Sequence, residues 1–135
     1  MKLREGPWSK EPDELIFVDG TTLLECKIVR GGLGHLCGYV AVPKDHPWYG
    51  VGYNDISQAS GDYVEVHGGL TFSGKLTLKT KKWWVGFDCA HLGDLVPAAR
   101  LADHGDWDET YRDIGYVTNE LVNLARQAKE VADAD

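Results

Sequence analysis

The feature that most constrains the fold is an apolar stripe near the C-terminal end of the chain. Between residues 114 and 131, aliphatic side chains recur alternately three and four positions apart, as on one face of an α-helix. The stripe comprises Ile114, Val117, Leu121, Leu124, Ala128 and Val131. We therefore predict a C-terminal helix over 110–132, begun by a capping box at Thr110 and Asp113. The same heptad-like spacing leaves a homo-oligomer joined through this helix open.

Glycine-punctuated β-type runs predict the surface on which this helix packs. A short strand is predicted over 14–19, and a β-hairpin over 23–43 turns at the glycines of 31–34. That turn would place Cys26 opposite Tyr39.

Three further runs, 62–72, 75–80 and 83–89, predict more antiparallel strands, with a turn at 73–74. The turn-rich stretch 44–61 predicts a long loop, and loops of that length are often functional. The expected fold class is α+β: a mostly antiparallel sheet with one long C-terminal helix packed on it.

Length and composition predict a single domain, 1–135, with a loosely held N-terminal arm over 1–14. The 135 residues suffice for one core, and 43% hydrophobic content is ordinary for a globular protein. No run approaches the roughly 18 apolar residues that span a bilayer, and the first residues contain no secretory signal. Three cysteines are an odd number, which favours free thiols and a cytoplasm.

Most of the net charge of −7 lies in the last quarter of the chain. Residues 103–135 hold nine acids and three bases, whereas the remainder is nearly neutral. This distribution excludes binding along long nucleic acids, which requires an extended basic surface. A small anionic ligand is compatible with Arg30 and with a local lysine run. That run comprises Lys75, Lys79, Lys81 and Lys82.

The segment WWVGFDCAHLGD, residues 83–94, carries a candidate catalytic site. Asp88, His91 and Asp94 follow an aromatic strand, and His67 ends another β-type run, so a shared sheet edge could bring them together. Such nitrogen and oxygen ligands suit Zn, Mn or Fe, and a divalent ion could activate water for hydrolysis. The same four side chains could instead act as acid and base.

Each of these assignments has a structural alternative. Asp88 and Asp94 could cap turns, with His91 a hydrogen-bonded loop residue. Cys89 could be a nucleophile with His67 as its base, but it shares a face with Trp83, Val85 and Phe87, where a buried thiol would be inert.

Several other side chains are candidate ligand-binding groups. The glycines after His67 could bring their backbone amides close to an anion, and an aromatic loop could stack on a base. A bulge and a hydrophobic plug are the respective structural alternatives. The candidates are Arg30, His46, Trp48, Tyr49, Gly68, Gly69 and Trp84.

Four motifs resemble those of a family of small proteins encoded by phages and prophages. They are GYVAVPKDHPWYG, VHGGLTFSG, WWVGFDCAHLGD and YRDIGYV followed by an amphipathic helix, and the resemblance covers about 26–124. It implies a phage protein acting in a bacterial cytoplasm. Small phage proteins often counter host defence, by cleaving or by sequestering the nucleotide signals of immune systems.

Two hypotheses of different classes follow. The first is a hydrolase of a small phosphorylated or nucleotide-type ligand, in which His67, Asp88, His91 and Asp94 bind a metal or transfer protons. The second is a protein that holds such a ligand without turnover. A structural or host-protein-binding factor, working through the acidic helix, is a third interpretation.

Overall fold

The computed structural model describes residue 3 and residues 5–60, 63–99 and 108–134, with backbone alone at 57–60. Within these residues the chain has an α+β fold, in which a five-stranded antiparallel sheet carries a long C-terminal helix, as the sequence predicts. No helix of this part of the chain combines the length and apolarity needed to cross a membrane. The strands are β1 (Glu14–Val18), β2 (Glu25–Arg30), β3 (Leu36–Val42), β4 (Phe72–Gly74) and β5 (Trp83–Asp88), and their order across the sheet is β1-β2-β3-β5-β4. The helices are α1 (Tyr53–Ser60) and α2 (Ile114–Asp133), and single 3-10 turns lie at Pro7–Lys10 and Pro97–Ala99.

The apolar stripe of α2 is buried on one face of the sheet, which confirms the packing prediction. Val117, Leu121 and Leu124 have no solvent exposure, and Ile114 packs against the same core. Burying a leucine side chain contributes about 1.5–3 kcal/mol. The sheet supplies the buried side chains Ile28, Leu36, Val40, Val85 and Phe87. The stripe is therefore used for packing within the chain.

The hairpin of β2 and β3 is confirmed, but its register differs by one residue from the predicted one. Cys26 lies opposite Val40 rather than Tyr39. The turn is one residue longer than the glycine run, because the amide of Gly31 donates to the carbonyl of His35 at 2.6 Å. Arg30 consequently pairs with Leu36.

The predicted capping box is wrong. Helix α2 begins at Ile114, and Asp113 is its N-cap, accepting a 2.8 Å hydrogen bond from the amide of Tyr116. Thr110 lies outside the helix, where it forms an isolated parallel bridge with Asp94. Its amide donates to the carbonyl of Gly93, so it joins the start of α2 to the loop after β5.

The predicted strands over 62–72 and 75–80 are wrong. Only Phe72–Gly74 forms a strand there, and it pairs directly with β5; residue 62 lies outside the described residues. The preceding segment lies along α2 instead, since the amides of Glu65 and His67 donate to the side chains of Gln127 and Glu120. Polar side chains of the helix thus supply the partners that a neighbouring strand would have given this backbone.

The stretch predicted as a loop, 44–61, contains helix α1; residue 61 lies outside the described residues. Before this helix, His46 joins the chain to α2. Its Nδ1 accepts from the amide of Trp48 at 2.9 Å, and its Nε2 therefore carries the proton donated to the carbonyl of Ala128 at 2.7 Å. Trp48 has no solvent exposure.

The N-terminal segment is fixed more firmly than the sequence indicated. Trp8 packs edge-on against Tyr111 with ring centroids 5.2 Å apart. Glu11 accepts from the Tyr111 hydroxyl at 2.6 Å and from the amide of Ile114 at 2.8 Å, which adds a second acceptor at the start of α2.

All three cysteines are free, in agreement with the sequence. Cys26 and Cys89 are buried in the core, and burial raises the pKa of both thiols; the Cys26 pKa reaches about 12. The neutral thiol is a poor nucleophile, which argues against Cys89 as a nucleophile with His67 as its base.

The substitution His46→Gln should reduce the loss of stability at acid pH. Burial lowers the pKa of His46, even though the Ala128 carbonyl and Asp45 act to raise it. The unfolded chain, whose histidine pKa is about 6.5, therefore binds a proton at a higher pH than His46 does in the folded chain. The free energy of unfolding therefore falls as pH drops below about 6.5 and stops falling below the folded pKa. Glutamine can donate to the Ala128 carbonyl but does not titrate in this range.

Urea denaturation between about pH 7.5 and 5 measures this difference. His35, whose pKa burial also lowers, contributes the same slope to both proteins. Equal pH slopes for the wild type and His46→Gln would contradict the prediction.

Candidate functional site

The site forms where three parts of the chain meet beyond the end of β5. The loop after Asp88 carries His91 and Asp94, the segment before β4 carries His67, and the start of α2 carries Arg112 and Tyr116. The bridge between Asp94 and Thr110 holds the first and third parts together, with the amide of Leu95 donating to the Thr110 carbonyl at 2.8 Å. The sequence predicted the proximity of His67 to this loop, and the structure confirms it.

Asp94 is the centre of the site. It is 3% exposed and accepts from His67 Nε2 at 2.8 Å, from Arg112 Nε at 2.8 Å and from the amide of His91 at 3.0 Å. Burial acts to raise the pKa of Asp94, but these hydrogen bonds outweigh it and hold the pKa below its usual value. The group is therefore a buried carboxylate that is ionised at neutral pH.

His67 bridges Asp94 and Tyr116. A carboxylate can only accept, so the neutral imidazole carries its proton on Nε2, towards Asp94. Its Nδ1 then has a lone pair directed at the Tyr116 hydroxyl, which lies 2.7 Å away. The result is a continuous hydrogen-bonded chain of carboxylate, imidazole and phenol.

Arg112 places a cation beside both ends of this chain. Its Nε donates to Asp94, and its Cζ lies 5.0 Å from the centroid of the Tyr116 ring. A guanidinium over an aromatic face is attracted by the electron-rich ring. The two terminal amines of Arg112 make no hydrogen bond with the described residues, so they remain available to an anion.

His91 is the second imidazole of the site, and its ring centroid lies 5.9 Å from that of His67. Its Nε2 is 3.1 Å from Asp88 Oδ1, close enough for an ion pair but not aligned for a hydrogen bond. Asp88 also accepts from the amide of Ala90, so this carboxylate caps the turn after β5. About a third of the His91 side chain is exposed, which makes it more accessible than His67.

Gly68 provides the space that His91 occupies. A Cβ on Gly68 would overlap the His91 ring. Gly68 and Gly69 both have positive φ, and the amide of Gly69 donates to the Val66 carbonyl. That amide is therefore not free for the anion contact that the two glycines suggested.

The residues present do not fit the Zn, Mn or Fe ion that the sequence left open. The described residues contain no group of three or more His, Cys, Asp or Glu side chains arranged to hold a metal. Both ring nitrogens of His67 are engaged, and the Arg112 guanidinium already lies against Asp94. An arginine in that position supplies the positive charge that a metal would otherwise bring.

Arg30 has a role in the fold. It donates to Asp13, to the carbonyl of Gly34 and to the Tyr111 hydroxyl, all within 2.9 Å. These contacts join the N-terminal segment to the hairpin and to the chain before α2. The structure does not bring Arg30 into the cluster around Asp94.

The predicted aromatic ligand-binding residues also make contacts elsewhere. His46 and Trp48 belong to the buried loop, and Trp84 is 5% exposed. Tyr49 lies 5.7 Å from the ring of Trp83 and donates to the carbonyl of Lys81. The burial of Trp48 corresponds to the hydrophobic plug that the sequence offered as the alternative for this loop.

Sequence reasoning missed Arg112, Tyr116 and Glu120, and it also missed His35. Tyr116 and Glu120 are four residues apart on one side of α2, and Arg112 lies just before the Asp113 N-cap. Burial lowers the pKa of His35, although the nearby charges of Asp88 and Asp94 act to raise it. A search for polar residues at the open end of the apolar stripe would have found Tyr116.

No family model, curated protein or solved structure matches the chain.

Gly68→Ala should disturb the site, whereas Gly69→Ala should affect only the backbone. Both positions have left-handed φ, which costs a residue with a Cβ about 1–2 kcal/mol. Only the Cβ on Gly68 would meet the His91 ring, because nothing lies within 4 Å of a Cβ on Gly69. Denaturant melts should therefore show a larger loss of stability for Gly68→Ala.

Histidine-selective NMR gives the local measurement. The His91 ring signals should move in Gly68→Ala and stay near their wild-type positions in Gly69→Ala. Equal shifts in the two variants would show that His91 does not depend on the space above Gly68.

Proposed function

We propose that the chain is a phage enzyme that hydrolyses a small phosphorylated, nucleotide-type ligand by acid–base chemistry without a metal. The observation that carries this proposal is the pairing of His67 with the buried Asp94 carboxylate, next to Arg112. An imidazole oriented in this way can accept a proton while the carboxylate stabilises the imidazolium that forms. General acid–base catalysis of this kind contributes about 10²–10⁴-fold in rate.

The charges around His67 support an anionic ligand. Arg112 keeps its two terminal amines for a planar, bidentate contact with phosphate oxygens. His91 lies beside His67 with about a third of its side chain exposed, and because its Nε2 is buried against Asp88, only Nδ1 is left to contact the ligand. Asp94 neutralises part of the arginine charge, so the ligand must gain affinity from its own contacts as well.

The resemblance to phage and prophage proteins supports the ligand class. A phage protein in the host cytoplasm meets the small nucleotide signals of bacterial immunity, whose phosphodiester and phosphoanhydride bonds are substrates for acid–base hydrolysis. We therefore propose counter-defence as the biological role. Sequestration without turnover would use the same anion contacts, but it would not require the bond from Asp94 to His67.

His67→Gln should reduce turnover by about 10²–10⁴-fold, because glutamine keeps a polar contact but cannot accept the proton. The assay uses the purified chain with excess chelator and a panel of cyclic di- and trinucleotides and ADP-ribose derivatives, with products separated by liquid chromatography and mass spectrometry. His46→Gln is the matched control, since it replaces a buried histidine that lies outside the site. Thermal melts of both variants identify any loss that comes from unfolding.

Each alternative outcome is distinct. Turnover that chelator abolishes would contradict the metal-free mechanism. Tight binding of a panel nucleotide without turnover would support sequestration in place of hydrolysis. Equal activity of His67→Gln and wild type would remove His67 from the reaction.

A further inference from the structure

We propose that Tyr116 is the nucleophile of this site and forms a transient phosphotyrosyl ester, an inference that rests on the hydrolase function proposed above. The Tyr116 hydroxyl lies 2.7 Å from His67 Nδ1, and His67 Nε2 lies 2.8 Å from Asp94 Oδ2. Hydroxyl, imidazole and carboxylate thus follow the order of a catalytic triad, in which a base contacts the nucleophile and a third group orients the base.

The contacts of His67 explain why the tyrosine, rather than the histidine, would meet the ligand. Both ring nitrogens are hydrogen-bonded, and only 13% of the His67 side chain is exposed. A ligand reaches the proton-accepting nitrogen only through the phenol oxygen that already lies against it. Tyr116 itself is partly buried, on the first turn of α2.

Arg112 is positioned to stabilise the charge that this attack develops. Its guanidinium carbon lies 5.0 Å from the centroid of the Tyr116 ring, so its positive charge is next to the side chain that would carry the phosphoryl group. Fixed donors directed at developing negative charge commonly supply the largest share of a rate acceleration. Asp94 holds the guanidinium in place through Nε.

The reaction balances in two halves. As the Tyr116 Oη–phosphorus bond forms, the phenolic proton passes to His67 Nδ1, and the bond from phosphorus to the leaving oxygen breaks. The leaving oxygen lies on the far side of phosphorus from Tyr116, so it takes its proton from solvent while His67 stays protonated. In the second half water attacks phosphorus from that far side and releases a proton to solvent, while the phenolate leaves and recovers its own proton from His67 Nδ1.

The state of the phenol at rest is consistent with a base-assisted attack. Burial raises the pKa of Tyr116, and Glu120 adds to this effect, whereas Arg112 opposes it. The hydroxyl therefore keeps its proton until an acceptor takes it, as a serine does in a triad.

Tyr111 supplies a matched control for Tyr116. Its hydroxyl also joins a polar network, since it accepts from Arg30 at 2.9 Å and donates to Glu11 at 2.6 Å, but among the described residues it bonds to no imidazole. Tyr116→Phe and Tyr111→Phe each remove one partly buried hydroxyl from a charged network. A merely structural role for Tyr116 would make the two variants behave alike.

The test uses bis(4-nitrophenyl) phosphate, because its leaving group is coloured and needs no proton. In the wild type, rapid mixing should give a burst of nitrophenolate of about one equivalent per chain, as expected for a covalent intermediate. Intact mass after acid quench should show the aryl phosphate adduct, and peptide mapping should locate it on Tyr116. Tyr116→Phe should lose the adduct and at least about 100-fold in turnover, whereas Tyr111→Phe should keep both.

Several results would overturn the assignment. Full turnover in Tyr116→Phe, or an adduct on another residue, removes Tyr116 as the nucleophile and leaves the hydrolase proposal intact. If turnover falls without a trapped adduct, a chiral phosphorothioate diester decides: retention at phosphorus supports two displacements, and inversion excludes them. If the chain turns over neither bis(4-nitrophenyl) phosphate nor any panel nucleotide, both proposals are overturned.

Discussion

The buried charge of Asp94 is the constraint on which the rest of the site depends. A carboxylate removed from water is costly unless hydrogen bonds and an opposite charge compensate it. Here the compensation comes from three parts of the chain, namely His67, Arg112 and the amide of His91. Removing any one donor would leave charge uncompensated, so the segment before β4, the loop after β5 and the start of α2 are coupled through one side chain. The positions of the remaining groups follow: Tyr116 is in the first turn of α2, which Arg112 just precedes, and His91 is three residues from Asp94.

The parts of the fold that sequence could predict are those in which burial alone decides the structure. The stripe of α2 and the alternation in β2 and β3 each bury one face, and each lies where its pattern indicates, whereas β5 is buried on both faces. The segment at 63–67 has the same alternation but forms no strand, because Glu120, Asn123 and Gln127 of α2 bond to its backbone. No local pattern records that competition. The hairpin register differed for a similar reason, since the closing bond from Gly31 to His35 sets the length of the turn.

The site could be predicted in part, by a route that the structure corrects. His67 and the polar residues after β5 do lie close together. The strand that the sequence predicted between the two runs, over 75–80, does not form, and β4 pairs directly with β5. The meeting depends on the glycine turn at 68–69 and on α2, to which the backbone of His67 is bonded. Arg112 precedes the apolar stripe, and Tyr116 lies beside its first residues. Both were missed because a search for core residues passes over polar ones. They change the chemistry: with Arg112 against Asp94, the cluster favours proton transfer over metal binding.

The same network serves stability and chemistry, and the two uses draw on different members. Asp94 is so deeply buried that any change there alters folding, whatever it does to a reaction. Tyr116 and the terminal amines of Arg112 contribute less to stability. The phenol oxygen forms one hydrogen bond, to the His67 imidazole, and the amines form none with the described side chains. A network built for stability alone would gain from closing these positions with further partners, because unpaired polar groups contribute nothing to folding. Their availability, beside an imidazole held in a fixed tautomer, is the physical reason for assigning the ligand to this end of α2.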